Sequence, residues 1–385
     1  MAITNADCGV WELEDVYQKV NAGRWVSYNV SNDPGTLWAW GSNQFGQIGD
    51  NTVTRRSSPV QVPGTQWIEV SSGKNHTAAR KSDGTLWAWG YNLCGELGDG
   101  TGGLGCYRSS PAQVPGTQWA EVHSGADHTL ARKSDGTLWA WGGGVQGQLG
   151  NIIVYADCYK SSPVQIPGTQ WTDITAGNAH TGAIKSDGTL WVWGSNGCGA
   201  LGVGNINSAS SPIQIPGTQW VEMAAGRCHS AARKSDGTLW SWGFNYRGQL
   251  GNGTITDRSS PIQIPGIQWT EISAGQELSA ARKSDGTLWT WGRAIGIGQS
   301  LDANRSSPTQ VLGLWVEVGN SQEGEHVAAR KSDGTMWSWG YNQGGALGEN
   351  TNINRSSPIQ IPGTQWSHIS NGGGSGHRAA RKSAI

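Results

Sequence analysis

Six histidines recur at one place in a repeating pattern: His76, His128, His180, His229, His326 and His377, with Leu278 where a seventh would stand. Histidines in series suggest metal ligands or acid–base groups. The interval between them is roughly fifty residues, the period of a stacked repeat and not of a metal-binding motif. On a ring of such repeats each imidazole belongs to a different unit, too far from the next to share one ion. The expected role is structural, such as a hydrogen bond that closes a loop, and neither a metal nor a cofactor is expected. No residue evidently compensates for Leu278, and His123 and His368 stand outside the series.

A second series is basic: Arg80–Lys81, Arg132–Lys133, Arg233–Lys234, Arg282–Lys283, Arg330–Lys331 and Arg381–Lys382. Such a ring could attract an anionic polymer. Asp83, Asp135, Asp236, Asp285 and Asp333 sit beside it, so a solvated, charge-balanced rim is the plainer expectation. The six cysteines lack C-x-x-C spacing; incidental thiols are expected, and Cys94–Cys106 is the favoured pairing if a disulfide exists. Paired acid–base carboxylates, a nucleophile elbow and a phosphate-binding P-loop are all missing. The sequence does not read as an enzyme.

These series are carried by one phrase. KSDGTLWAWG runs from Lys81 to Gly90, and near-copies end at Gly142, Gly194, Gly243, Gly292 and Gly340; NDPGTLWAWG, ending at Gly41, is a partial seventh. Around the Lys81 copy, QWIEVSSG, HTAARKS, TLWAWG and RSSPAQVPG each read as a short strand. Asp83–Gly84 reads as a two-residue hairpin turn with both residues at positive φ. The prolines suit the fourth segment to a sheet edge. Trp87 and Trp89 are two apart and share a strand face. Of the 23 tryptophans, only Trp11 and Trp25 escape the pattern. The rest are expected to fill the gaps between neighbouring sheets, with sugar-stacking platforms as the functional alternative.

Each strand type occurs seven times, but the chain enters at a third strand and leaves at a second. The last unit must therefore combine Trp366–Ser383 with Thr36–Gly64. The expected fold is all-β: a seven-bladed β-propeller of four-stranded blades over residues 36–385, its last blade shared between the N- and C-terminal strands. Residues 1–35 form a separate leader, helical or extended.

The pattern GxxHTxA…DGTLWAWGxNxxGQLG resembles the repeat of the regulator of chromosome condensation family over about residues 36–383. That resemblance implies the propeller fold but no single activity, because the family includes guanine-nucleotide exchange factors, lectin-like modules and ligase-associated scaffolds. Exchange activity in the family is tied to features beyond the repeat, such as a protruding wedge, and insertions here amount to a few residues.

Net charge is −1, so specific nucleic-acid binding is not expected, and no apolar run is long enough for a membrane span. Two loops are long: Gly98–Pro111, and Gly150–Pro163, whose Ile152, Ile153, Val154 and Tyr155 make an apolar tip that either contacts a ligand or folds onto its own blade. In the leader, WELEDVYQKVNAG spaces Leu13, Val16, Tyr17 and Val20 along one face of a short helix that Gly23 stops, with Trp11 at its start. The leader is net −3, Lys19 and Arg24 against Asp7, Glu12, Glu14, Asp15 and Asp33. Its opening, GVWELEDVYQKV, resembles the start of virion structural proteins of tailed phages. That implies a structural or adhesive virion component, made in the host cytoplasm and displaying its propeller to a host-surface ligand. The leader would bind other virion proteins or another copy of the chain, or else cap its own propeller. The alternatives are a cytoplasmic interaction scaffold, a small-GTPase regulator or a lectin-like module.

Overall fold

The computed structural model describes residues 3–5, 9–11, 34–151, 159–299, 303–321, 324–370, 374 and 376–383. Its strands form seven four-stranded antiparallel blades. Blade 1 holds Trp67–Ser72, His76–Lys81, Leu86–Gly90 and Arg108–Val114. Blades 2 to 6 repeat that order, beginning at Trp119, Trp171, Trp220, Trp269 and Glu317. Blade 7 is built from both ends of the chain: Trp366–Ile369 and His377–Ser383, then Gly35–Gly41 and Arg56–Gln61. Gly35–Gly41 pairs with Ser383–His377 along its whole length, so the closure expected from the strand census is present.

First strands of neighbouring blades lie against each other, which puts them at the centre of the ring and the proline-bearing fourth strands at its edge. The antiparallel order puts the first–second and third–fourth loops on one face. The opposite face carries the second–third turns and the fourth–first connections.

Between blades the tryptophans divide by depth. Trp89 and its equivalents are fully buried, whereas Trp87 and its equivalents are half-buried. Trp67 meets Trp87 at 6.5 Å and Trp89 at 6.0 Å, both edge-on. Such pairs add about 0.5–1.5 kcal/mol beyond their burial. Gly90, which ends the phrase, has φ 102°, and a Cβ there would sit 2.5 Å from Asn75 O. A larger residue would push the third strand off the second.

The turn differs from the two-residue form expected. Lys81 N donates to Thr85 O and Gly84 N to Lys81 O, both at 3.0 Å, so Ser82, Asp83 and Gly84 make a three-residue loop. Gly84 has φ 78° and Asp83 is not at positive φ. Asp83 Oδ1 instead accepts from Thr85 N (2.9 Å) and Thr85 Oγ1 (2.7 Å), and Thr85 Oγ1 accepts from the Trp87 indole (2.9 Å). Each letter of DGTLW thus has a partner.

In the leader, Ile3–Asn5 pairs antiparallel with Gly9–Trp11. Trp11 therefore ends a short strand and does not open the expected helix. Leu13, Val16, Tyr17 and Val20 lie outside the described residues, as do Ile152, Ile153, Val154 and Tyr155.

Candidate functional site

The histidine series sits in the seams between blades. His76 Nε2 lies 2.9 Å from Thr129 Oγ1 of the next blade. That hydroxyl donates to Glu96 O of the first blade at 2.9 Å, and the Trp141 indole donates to the same carbonyl at 2.9 Å. The hydroxyl proton is spent on the carbonyl, so its oxygen accepts from the imidazole, which is the Nε2–H tautomer. His128–Thr181, His180–Ser230, His229–Ser279 and His377–Thr77 repeat the link at 2.9–3.2 Å. Burial pushes His76, His128 and His229 down to about 3, and His180 and His377 to about 4, so each stays neutral at neutral pH. The histidines are latches between neighbours.

The series has two departures. Leu278 does have a counterpart: the next blade supplies Val327 where the others supply a hydroxyl, and the two share one apolar cluster with Ile297. His326 faces Arg378, which is fully buried, and one Arg378 amino group donates to His326 O at 3.4 Å. Burial lowers the Arg378 guanidinium to about 9.

The basic series is not a solvated rim. Consecutive strand residues point to opposite faces, so the arginines and lysines part company. Arg80 pairs with Glu69 at 3.0 Å, Arg132 with Glu121 at 2.9 Å, and Arg330 with Glu317 at 2.9 Å. The second carboxylate oxygen then caps an edge amide of the next first strand: Val122 N donates to Glu69 Oε1 (3.2 Å), and Val318 N to Glu271 Oε1 (3.1 Å). A collar of carboxylates thus satisfies the inner sheet edges. His368 replaces the acid in blade 7, and its Nδ1 lies 2.7 Å from Glu317 Oε1. His123 Nε2 is 3.9 Å from Glu121. In blade 3 Ile184 replaces the arginine, and burial, followed by Glu121 and Glu222 nearby, pushes the Asp173 carboxyl well above its usual range. The lysines lie over indoles instead: Lys81 Nζ is 4.8 Å from the Trp67 ring and 4.5 Å from that of Trp87.

Cys94 and Cys106 are not bridged; both remain thiols, and Cys106 Sγ donates to Gly102 O at 3.3 Å. Among the described residues no three His, Cys, Asp or Glu side chains converge as metal ligands would. No helix among them is long and apolar enough to cross a membrane.

Binding potential concentrates on the loop face. Phe45 and Tyr91, from adjacent blades, meet at 4.6 Å with their rings tilted by 57°. Tyr246 (62 % exposed), Val145 (53 %) and Tyr341 (41 %) stand out of equivalent loops. Arg247 lies over the Tyr246 ring at 5.1 Å and pairs with Glu277 at 3.3 Å. Glu277 also holds Arg293, which reaches Glu325, so ion pairs cross blades 4 to 6. Of the two long loops, that of blade 1 exposes Leu104 almost fully, at 94 %. The sequence signal for this face was loop variability: the opposite turns repeat SDG nearly unchanged.

The family model described as the RCC1-like domain matches residues 5–270, and the regulator of chromosome condensation repeat matches residues 333–376. Among curated proteins, the ultraviolet-B receptor UVR8 of Arabidopsis thaliana is 29% identical over 177 residues, 43% of this chain and 39% of the receptor. The human E3 ubiquitin-protein ligase HERC2 is 27% identical over 177 residues, 44% of this chain and 4% of the ligase. The chain spans less than half the length of these relatives. Among solved structures, human WBSCR16 aligns with a TM-score of 0.81 at 20% identity, covering 91% of this chain and 99% of that one. Prp20p from Saccharomyces cerevisiae, described with its binding to Gsp1p and histones, aligns with a TM-score of 0.80 at 20% identity, covering 93% of each chain. At those identities the likeness is one of fold.

Proposed function

The chain belongs to the RCC1-like domain family, and from that premise we propose that it is a non-catalytic propeller that binds a protein partner through its loop face. One observation carries this reading. Exposed Tyr246, Tyr341 and Val145, beside the half-buried Phe45–Tyr91 pair, stand on the face whose loops vary, on a scaffold whose opposite turns hardly change. Variable loops on a rigid frame are where recognition resides, and tyrosines are frequent anchors in interfaces. Relatives that carry such repeats include a ubiquitin ligase and a GTPase regulator homologue, which supports a scaffold or regulatory role. The virion role rests on the leader's likeness alone, so the scaffold reading is preferred. In this reading the leader, up to the blade 7 strand that starts at Gly35, serves as an attachment arm.

The test is affinity capture with the full chain and two variants. Tyr246→Ser/Tyr341→Ser should lose a partner that the full chain retains, while Leu312→Ser, on the opposite face, should keep it. Equal capture by all three chains would refute the loop face as the binding surface.

A further inference from the structure

The crevice between blades 3 and 4 differs from the other six at one loop position, and a pocket lies there. Just past the last glycine of the third–fourth turn, six blades carry a polar residue: Asp50, Asp99, Asn151, Asn252, Gln299 or Glu349. In blades 1, 4, 6 and 7 that residue folds back on its own loop. Asp99 accepts from Thr101 and pairs with Arg108 at 2.7 Å; Glu349 pairs with Arg355 at 2.8 Å. Blade 3 has lost both members, with Val203 in place of the acid and Ala209 in place of the arginine. Val203 packs against the apolar cluster that holds Trp220 and Trp242. A cavity of about 350 Å³ lies there, walled by Val203, Pro216, Pro261, Trp220 and Trp240, with Lys234 at its margin. Its volume falls within the range of about 300–1,000 Å³ typical of binding pockets.

We propose that this crevice binds a short extended peptide that inserts a proline or branched aliphatic side chain and sets a carboxylate on Lys234. The apolar part follows from the walls. The Trp220 and Trp240 rings meet edge-on at 6.3 Å, and with two prolines they make a surface that suits an extended, proline-containing segment. The charged part follows from Lys234. Its ammonium lies 4.7 and 5.1 Å from the two ring centroids. Among the described residues it has no carboxylate at ion-pair distance. Asp236, the acid of its own turn, spends Oδ1 on Thr238 N and Thr238 Oγ1. A sugar is disfavoured, because the loss of the acid–arginine pair leaves Ser260 and Lys234 as the polar side chains of the lining. Its lining holds none of Tyr246, Tyr341, Val145, Phe45 or Tyr91, so the proposal stands or falls without them.

The probes are an acidic blocked pentapeptide, Glu-Leu-Pro-Leu-Glu, its neutral counterpart with Gln at both ends, and chitotriose. The readout is the Trp240 indole N–H resonance in the full chain, assigned from Trp240→Phe. The acidic peptide should shift it saturably, and about tenfold more tightly than the neutral one, a difference of roughly 1.4 kcal/mol. Lys234→Met should remove that difference and leave neutral-peptide binding intact. Val203→Asp/Ala209→Arg, which rebuilds the pair found in blade 1, should weaken both peptides at least tenfold with an unchanged melting temperature. The proposal is overturned if neither peptide shifts the resonance saturably, if acidic and neutral peptides bind alike, or if chitotriose occupies the site in their place.

Discussion

At the scale of single residues, five of the six ring histidines act as neutral hydrogen-bond donors whose value depends on a hydroxyl in the next blade. Removing that hydroxyl alone strands a buried N–H. Ser279→Val should therefore cost about 1–3 kcal/mol, the usual penalty for an unsatisfied buried group. His229→Leu/Ser279→Val copies the Leu278–Val327 pair and should recover much of the loss. A double-mutant cycle from urea unfolding checks this, and strict additivity would contradict the latch. The same imidazoles set an acid limit. Their native pKa values, about 3 for His229, lie below the ordinary value of about 6.5, so the unfolded chain binds more protons between the two. Their contribution is complete above pH 6.5 and is lost as pH falls towards 3. The double variant should lose stability less steeply between pH 6.5 and 4; parallel curves would rule out this source. The series was legible in the sequence because the period is regular. The partner was not, because Leu278 and Val327 meet only once the neighbour of each blade is known.

At the scale of elements, the inner strand of each blade would expose unpaired amides at the channel, and in blades 2 to 7 a carboxylate from the preceding blade caps one of them. Glu317 is the busiest of these caps. Its Oε2 meets Arg330 Nε at 2.9 Å, and its Oε1 takes Ile369 N at 2.9 Å and lies 2.7 Å from His368 Nδ1. Burial raises its pKa, but His368 and then Arg330 outweigh that and hold it below the usual carboxylate range. Its contribution is therefore present above the ordinary carboxylate range and lost as pH falls through the lowered value. Glu317→Ala leaves the partly buried Arg330 without its anion and Ile369 N without its acceptor, and should cost about 3 kcal/mol, the low end for broken buried pairs. Glu317→Gln keeps an acceptor for Ile369 N and should cost less. Equal melting temperatures for the two variants would show that the cap contributes nothing. This collar was half legible. Arg80 and Lys81 are adjacent in sequence and look like one basic site, yet strand alternation sends the first to Glu69 and the second onto two indoles. The turn was misread for a related reason: Asp-Gly suggests a two-residue hairpin, but the Asp83 side chain binds Thr85 and stabilises a three-residue loop.

At the scale of the molecule, closure rests on one ladder between the chain ends, from Gly35↔Ser383 to Gly41↔His377. The strand count alone revealed this closure, since every strand type occurs seven times and the first and last units are incomplete. Deleting residues 376–385 removes one strand of the ladder and should abolish cooperative melting; an unchanged melting temperature would defeat the shared blade. The more discriminating experiment joins the ends. In blade 1 the turn reads Lys81-Ser82-Asp83-Gly84-Thr85. In blade 7 Lys382 and Ser383 face Thr36 and Gly35, so the same turn lacks only its aspartate. A permuted chain that links Ser383 to Gly35 through one Asp, omits residues 1–34 and opens between Asp187 and Gly188 should move the split blade from 7 to 3 and keep every other contact. Surface turns whose ends lie close together tolerate such relocation. The permuted chain should fold cooperatively and melt within a few degrees of the parent, because both rings are shut by one bipartite blade. Failure to fold would mean that the leader, or an uninterrupted blade 3, is required to close the ring.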